Sequence, residues 1–383
     1  MILSSRSSII TSAIIVIIVF SAVGGFVFLT NQYVPSNVAV VVLDPGFGDR
    51  SMADQAYEGL YSGEIVVDYD FRVADDIPDL TDIIDSIALA GRHDIIFIIG
   101  TEVGLPAAVE SVASTRPNQK FGFIGGIVDL PNVASATFAH EEGAFLSGAL
   151  AAHLAVDNEN RTGIVGVIGA IATDPTITEL IDGFIKGVQY ANQTLGNVTL
   201  LPTEYVGSYN DSAVAEGLAT NMWNPAVGNA SVIFAPVRAS IDGIRAAMEF
   251  VNQTWLGLER GDNHEPFVIA AEGDQRYMGN PNIEIATGPS WVVTSIVQRS
   301  DQSIFRILNA TLWGDFIGSA NYGGGVALDL DTGFGNLENN GVILADMEEF
   351  IESDYEWVTI AMINMTTDYR LGIINGSIDL DSL

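Results

Sequence analysis

Val38-Ala-Val-Val-Val-Leu43 runs directly into Asp44-Pro-Gly-Phe-Gly-Asp-Arg-Ser-Met-Ala-Asp-Gln-Ala-Tyr-Glu-Gly-Leu60. The first six residues are rich in β-branched side chains and apolar on both faces, the composition of a strand buried in a parallel sheet. Gly46 and Gly48 then allow close backbone approach, and Ser51 can cap a helix. A strand, a glycine loop and a helix N-terminus in that order is where doubly wound folds hold polar ligands. Backbone N–H groups and the helix dipole converge there, at the carboxyl end of the strand. A plain capped turn has the same pattern, so the segment alone does not separate the two.

Five more stretches read as buried strands: Asp94–Ile99, Phe121–Ile124, Gly163–Ile168, Ser231–Ala235 and Phe267–Ala271. Between them lie helical patterns. Leu80, Ile83, Ile84 and Ile87 make one apolar stripe with Asp79 as its cap, and Glu141–Leu154 and Thr178–Tyr190 are further helices. Such alternation predicts a parallel α/β architecture, and the elements outnumber the strands of one doubly wound sheet. With 383 residues the chain suits two lobes of ~150 residues each. The polar stretches Asp157–Arg161 and Gly261–Glu265 mark breaks, so a chain that crosses, returns and crosses again makes a multi-strand hinge. The expected division is 1–35 as a terminal segment, 36–158 plus 266–310 as lobe 1, and 159–265 plus 311–383 as lobe 2.

The chain carries 48 acidic against 15 basic residues, a net charge of −33, with Lys120 and Lys186 its only lysines. A field of that sign repels nucleic acid and anionic membrane surfaces. It suits a solubilised surface or, more specifically, a salt-rich habitat. The absence of cysteine removes disulfides, thiolate metal sites and a lipidated cysteine, so any tether is made of protein.

Ile9–Leu29 is an uncharged, mostly apolar run of 21 residues, long enough to cross ~30 Å of hydrocarbon as a helix. Arg6 precedes it and no Lys or Arg follows before Arg50, which keeps the N-terminus inside and exports the body. A retained anchor is the expectation. A cleaved signal peptide is the alternative, with Ser21, Ala22 and Gly24 as small residues at a processing site. Asn160, Asn192, Asn197, Asn210, Asn229, Asn252, Asn309, Asn364 and Asn375 each open an N-x-[ST] sequon. Those nine compare with about three expected by chance, and suggest a surface that meets glycosylation machinery.

The opening segment resembles the basic membrane protein (BMP) family of ABC-importer binding proteins, in which G-x-D-D-K-S-F-N-Q-x-A-x-E-G-L follows strand one. Asp94-Ile-Ile-Phe-Ile-Ile-Gly100 is similar to the family's second buried strand. The most specific likeness is Phe121-Gly-Phe-Ile-Gly-Gly-Ile-Val-Asp-Leu-Pro-Asn-Val-Ala-Ser-Ala-Thr-Phe138 with His140-Glu-Glu-Gly-Ala-Phe-Leu-Ser-Gly-Ala-Leu-Ala-Ala152. Gly163–Gly169, Asp182–Val188, Tyr205–Asp211, Gly273–Gln275 and Thr294–Asp301 continue it, so it covers Val38 to the C-terminus. The resemblance implies a type I periplasmic-binding-protein fold, two Rossmann-like lobes closing on a small ligand. Characterised members are similar to purine nucleoside receptors that stack the base between aromatics and hold the ribose with carboxylates and a lysine.

Carried over by position, Asp49 matches the family's loop aspartate, Tyr209 a stacking aromatic, and Glu272 the ribose-binding aspartate. Met52 stands where a stacking phenylalanine is usual, Ala53 where asparagine is, and Gln298 where the lysine is. Arg238-Ala-Ser-Ile241 takes the place of a G-G-T-G turn and puts a guanidinium near the cleft, as a cleft cation or a surface ion pair. Ser51 and Asp274 complete the candidate ligand set. Asp274, like Glu102 and Asp129, sits near a strand end, where an acid can equally cap a helix. His140 reads as a surface residue of a first helical turn, and the scattered histidines lack zinc-site spacing.

No G-x-S-x-G elbow, Walker loop or Cys–His pair is present, so neither a catalytic residue nor a cofactor is expected. A nucleoside hydrolase on the same lobes would want a metal-binding aspartate cluster at strand one. The expectation is therefore an extracytoplasmic receptor at the cell membrane that delivers a nucleoside-like solute to a permease and its ATPase. The alternative is a tethered surface sensor that uses the same lobe closure.

Overall fold

The computed structural model describes residues 13–21, 24–32, 37–61, 68–157, 161–253, 266–280, 290–321, 341–352 and 357–383. Asn160 and the break at 261–265 lie outside these, as do residues 9–12 and 22–23 of the apolar run and most of the stretch 157–161.

The helix expected over the N-terminal apolar run is not found among the described residues. Strands β1 (Ala13–Ser21) and β2 (Gly24–Gln32) pair antiparallel from Ala13↔Gln32 to Ser21↔Gly24. No helix among the described residues is long and apolar enough to cross a membrane. The run is dense in Ile and Val and interrupted by Gly24-Gly25. β-branching favours strands, and paired glycines oppose a continuous helix.

The first lobe begins with β3 (Asn37–Leu43), α1 (Met52–Tyr61), β4 (Asp68–Ala74), α2 (Ile77–Ala90) and β5 (Ile95–Ile99). It continues with α3 (Leu105–Thr115), β6 (Lys120–Ile124) and β7 (Val133–Ala136). Val38, Val40 and Val42 of β3 face one side of the sheet, and Ala39 and Val41 the other, so both faces are filled by helices. In α2 the cap is Asp76 rather than Asp79: its carboxylate accepts the Asp79 N–H at 2.8 Å. Gly91 closes the same helix at φ 60°.

The chain then crosses into α4 (His140–Leu154), β8 (Ile164–Gly169), α5 (Pro175–Leu195), β9 (Thr199–Leu200), β10 (Glu204–Tyr205) and α6 (Ser212–Trp223). After these come β11 (Val232–Ala235), α7 (Ile241–Val251), β12 (Phe267–Ala271) and β13 (Val292–Gln298). It returns through α8 (Ser300–Trp313) and β14 (Ala320–Asn321), and ends with β15 (Val342–Leu344), α9 (Glu348–Glu352) and α10 (Ile360–Ile374).

One sheet has the order β14-β7-β6-β5-β3-β4, with every pair parallel. The other has the order β10-β8-β11-β12-β13-β15, with β9 also on β8 and only β15 antiparallel. The strands form two sheets, and residues 266–310, expected in lobe 1, are divided between them. Strands β12 and β13 complete the second sheet, α4 packs on that sheet, and α8 and β14 return to the first lobe. Helix α7 and strand β12 belong to the same lobe; the return crossing comes at Arg299, between β13 and α8.

Helices α4 and α5 touch backbone to backbone. A methyl group on Gly148 would collide with the Phe184 carbonyl, and one on Gly187 with the Phe145 carbonyl. Gly148→Ala is expected to cost about 3 kcal/mol by forcing these helices apart. Urea denaturation checks this as a lower midpoint with an unchanged slope.

Candidate functional site

Because both sheets are essentially parallel, the carboxyl ends of their strands meet in one place. From the first lobe come the loop after β3, bearing Asp49, and the turn after β5, bearing Thr101 and Glu102. From the second come Asp174 after β8, Tyr209 after β10, Arg238 after β11 and Glu272 after β12. At Gly273 the lobes approach so closely that a Cβ would strike the backbone of Arg50 and Ser51.

Arg238 holds the centre, 7% exposed. Its Nε and Nη2 donate to Glu272 Oε1 at 3.1 and 2.9 Å, on its own lobe. Across the cleft, Nη1 donates to Glu102 Oε1, and Nη2 to Thr101 Oγ1 at 2.8 Å. The guanidinium carbon lies 4.0 Å from the Tyr209 ring centroid, a cation–π stack. The Tyr209 hydroxyl donates to Asp174 Oδ2 at 2.8 Å, while Asp174 Oδ1 caps α5 by accepting the Thr176 N–H at 2.9 Å. Gln275 Nε2 ties the loops together, donating to the carbonyls of Asp49 at 2.7 Å and Arg238 at 3.3 Å.

Burial dominates the electrostatics. It pushes the Glu272 carboxyl above its ordinary range, with Arg238 pulling it back in part. Asp49 is also raised by burial, opposed by its hydrogen bonds from Ser51. The surrounding carboxylates hold the Arg238 proton more tightly than usual, although burial opposes this. Burial likewise drives the Tyr209 phenol well above its normal value. Arg50, Arg238 and Glu272 all take positive φ, at 61°, 47° and 68°. Strain of this kind, in residues other than glycine, gathers where structure is held for function.

Several buried polar atoms here have no partner among the described residues: Asp49 Oδ2, Glu102 Oε2, Glu272 Oε2 and Gln275 Oε1. Three of them are carboxylate oxygens, contributed by both lobes and open to a donor. The cavity beside Asp49 and Glu102 is about 20 Å³, lined also by Ser51, Met52 and Arg238 among others. Such a space has room for about one water.

Of the residues singled out by sequence, Asp49, Ser51, Met52, Tyr209, Arg238 and Glu272 come together. Ser51 is buried and its N–H donates to Asp49 Oδ1 at 2.9 Å. Met52 is buried beside the small cavity. Asp274 goes elsewhere: it pairs with Arg276 at 2.8 Å in a separate cavity of about 290 Å³ lined by Arg50, Asp54, Tyr277 and Arg299. Gln298 is fully buried at the end of β13, alternating with Val297 so that it shares the face of Ile296, the one packed by α4. Glu102 joins the cleft and Asp129 stays exposed.

Thr101, Asp174 and Gln275 escaped the sequence reading. Asp174 carried a signal, an Asp-Pro pair opening a helix. Neither Thr101 nor Gln275 did. His140 corrects an expectation: it is 5% exposed, and its Nδ1 has no partner among the described residues.

Burial, helped by the nearby Arg238, lowers the His140 imidazole to about 4. In the unfolded chain it titrates near ~6.5. A folded value below the unfolded one gives stability that is complete above pH ~6.5 and drains away as the pH falls towards ~4. Asp49 and Glu272 work in the opposite sense, since the folded state takes up their protons first on acidification. Comparing wild type with His140→Gln isolates the imidazole. Between pH ~7 and pH ~4 the variant should lose about 3 kcal/mol less unfolding free energy in urea, and equal losses would refute the assignment.

Comparison with known proteins agrees with this architecture. The family model described as ABC transporter substrate-binding protein PnrA-like matches residues 36–356. The nucleoside-binding protein BmpA of a Lactococcus lactis ABC transporter is 25% identical over 314 residues, covering 79% of this chain and 84% of that one. Basic membrane protein A of Borreliella burgdorferi is 27% identical over 257 residues, covering 64% of this chain and 66% of that one. Among solved structures, an ABC-transporter solute-binding protein of Aeropyrum pernix superposes with a TM-score of 0.73 at 22% identity, covering 90% of this chain and 93% of that one. Since the family match runs from the first strand of one lobe past the last strand of the other, the chain belongs to the basic membrane protein family of PnrA-like ABC-transporter substrate-binding proteins.

Proposed function

We propose that the chain is the extracytoplasmic receptor of an ABC importer and that its solute is nucleoside-like. The observation that carries this is the pair of carboxylates, Asp49 and Glu102, that line one gap with Arg238 and each keep an unpaired oxygen, with a third unpaired oxygen on Glu272 of the other lobe, the partner of that guanidinium. Such acceptors suit a ligand rich in hydroxyl donors, as a ribose is. The Tyr209 ring face and the soft wall of Met52 suit a flat base. A ligand touching both lobes holds them closed by its higher affinity for that form, and the closed form is what a permease with its ATPase would recognise. The relative named as nucleoside-binding supports the choice of solute.

An exported body fits the exposed sequons at Asn197, Asn210, Asn364 and Asn375. Asn252, 3% exposed, is closed to modification in the folded state.

The test is a thermal-shift panel on the purified full chain, in molar and in low salt, with nucleosides, free bases, sugars and amino acids. Nucleosides alone should raise the melting temperature. Ligand at a hundredfold excess over Kd adds about 3 kcal/mol, a shift of several degrees. A response to sugars or amino acids instead would reject the solute, and release of free base from the nucleoside would reject the receptor.

A further inference from the structure

We propose that Arg238 is a built-in occupant of the ligand position, a tethered guanidinium that closes the lobes on itself and that any solute must displace. The proposal rests on reading the cleft as the ligand site, but on no particular solute. Arg238 covers the ring face of Tyr209 and takes Glu272, the aromatic and the acid through which a solute would be held. It reaches from the second lobe to Glu102 and Thr101 of the first, so one side chain makes the bridge that a solute makes in a binding protein. The cavity of about 20 Å³ beside it admits no solute larger than water while the guanidinium stays. Its backbone is held in place for this, at φ 47° with its carbonyl bound by Gln275.

Competition follows. Solute and side chain share partners, so the fraction of molecules closed on Arg238 subtracts from apparent affinity. Truncating Arg238 should leave a guanidinium-shaped site with two carboxylates and a ring face, and a free guanidinium ion should fill it.

The experiment is a thermal melt of full-length Arg238→Ala and wild type in millimolar methylguanidinium, against sodium chloride of equal ionic strength. The variant should gain stability saturably and wild type should not. The variant should also bind the best solute of the thermal-shift panel about tenfold or more tightly than wild type does. A variant blind to methylguanidinium, or a wild type that responds equally, overturns the proposal whichever solute the receptor takes. If Arg238→Ala folds only with methylguanidinium present, that too supports it. If the variant folds in neither salt, Glu102→Ala decides. This change leaves Arg238 on Glu272 and Tyr209 within its own lobe and removes the Glu102 leg across the cleft. X-ray scattering should then give a larger radius of gyration than wild type without solute, and an unchanged radius overturns the proposal.

Discussion

A guanidinium taken out of water must be surrounded by acceptors or it unfolds what surrounds it. Arg238 meets that requirement with acceptors from both lobes, Glu272 on one side and Glu102 with Thr101 on the other. The geometry exists only because both sheets are parallel and point their carboxyl ends at each other. Each participant lies within five residues of a strand end: Thr101 and Glu102 after β5, Asp174 after β8, Tyr209 after β10, Arg238 after β11, Glu272 after β12. No two of these strands are hydrogen-bonded across the lobes, so side chains carry the join.

The pairs made by Arg238 differ in kind from the ion pairs at the surface. Arg72–Asp70, Arg116–Asp85 and Lys186–Glu141 sit where side chains keep a quarter or more of their exposure, apart from local shielding. Pairs so placed contribute little to stability, since water screens them and side-chain entropy opposes them. Around Arg238 exposure is low and the Coulomb energy is screened less, but desolvation consumes much of it. The cluster is therefore better suited to fixing one arrangement of the lobes than to stabilising the fold. Stability comes from the apolar core, in which stacked rings such as Phe184 and Phe234, 4.3 Å apart, lie between helix and sheet.

The fold was readable wherever one physical signal acted alone. Buried parallel strands are uninterrupted apolar runs, and the expected Val38–Leu43 and Phe267–Ala271 agree with β3 and β12 to within a residue. Strand β13 was not read as one because Thr294 and Ser295 break its apolar run. Both are satisfied at long range, by the carbonyls of Ala345 and Gly273. Sheet membership around 266–310 is illegible for a related reason: which edge a strand joins depends on register with partners distant in sequence. The N-terminal run has the length of a membrane helix and the β-branching of a strand, so two signals compete there.

The site was legible by resemblance at Asp49, Tyr209 and Glu272, whereas its departures from the family pattern needed geometry. Glu102 and Asp129 look alike in sequence, both acids just past buried strands; only the position of Arg238, 136 residues from Glu102, separates a cleft residue from a surface one. The same geometry shows why the pattern change at Arg238 matters more than those at Met52 or Ala53. A side chain that replaces a glycine and carries a charge cannot remain neutral to what the cleft accepts. With Arg238 in place, its single cation sits among Asp49, Glu102 and Glu272, while Asp174 holds the hydroxyl of the Tyr209 ring beneath it; with it swung aside, four carboxylates remain. In either arrangement the balance of charge there is negative, and a further anion set among those acids costs more than its contacts return.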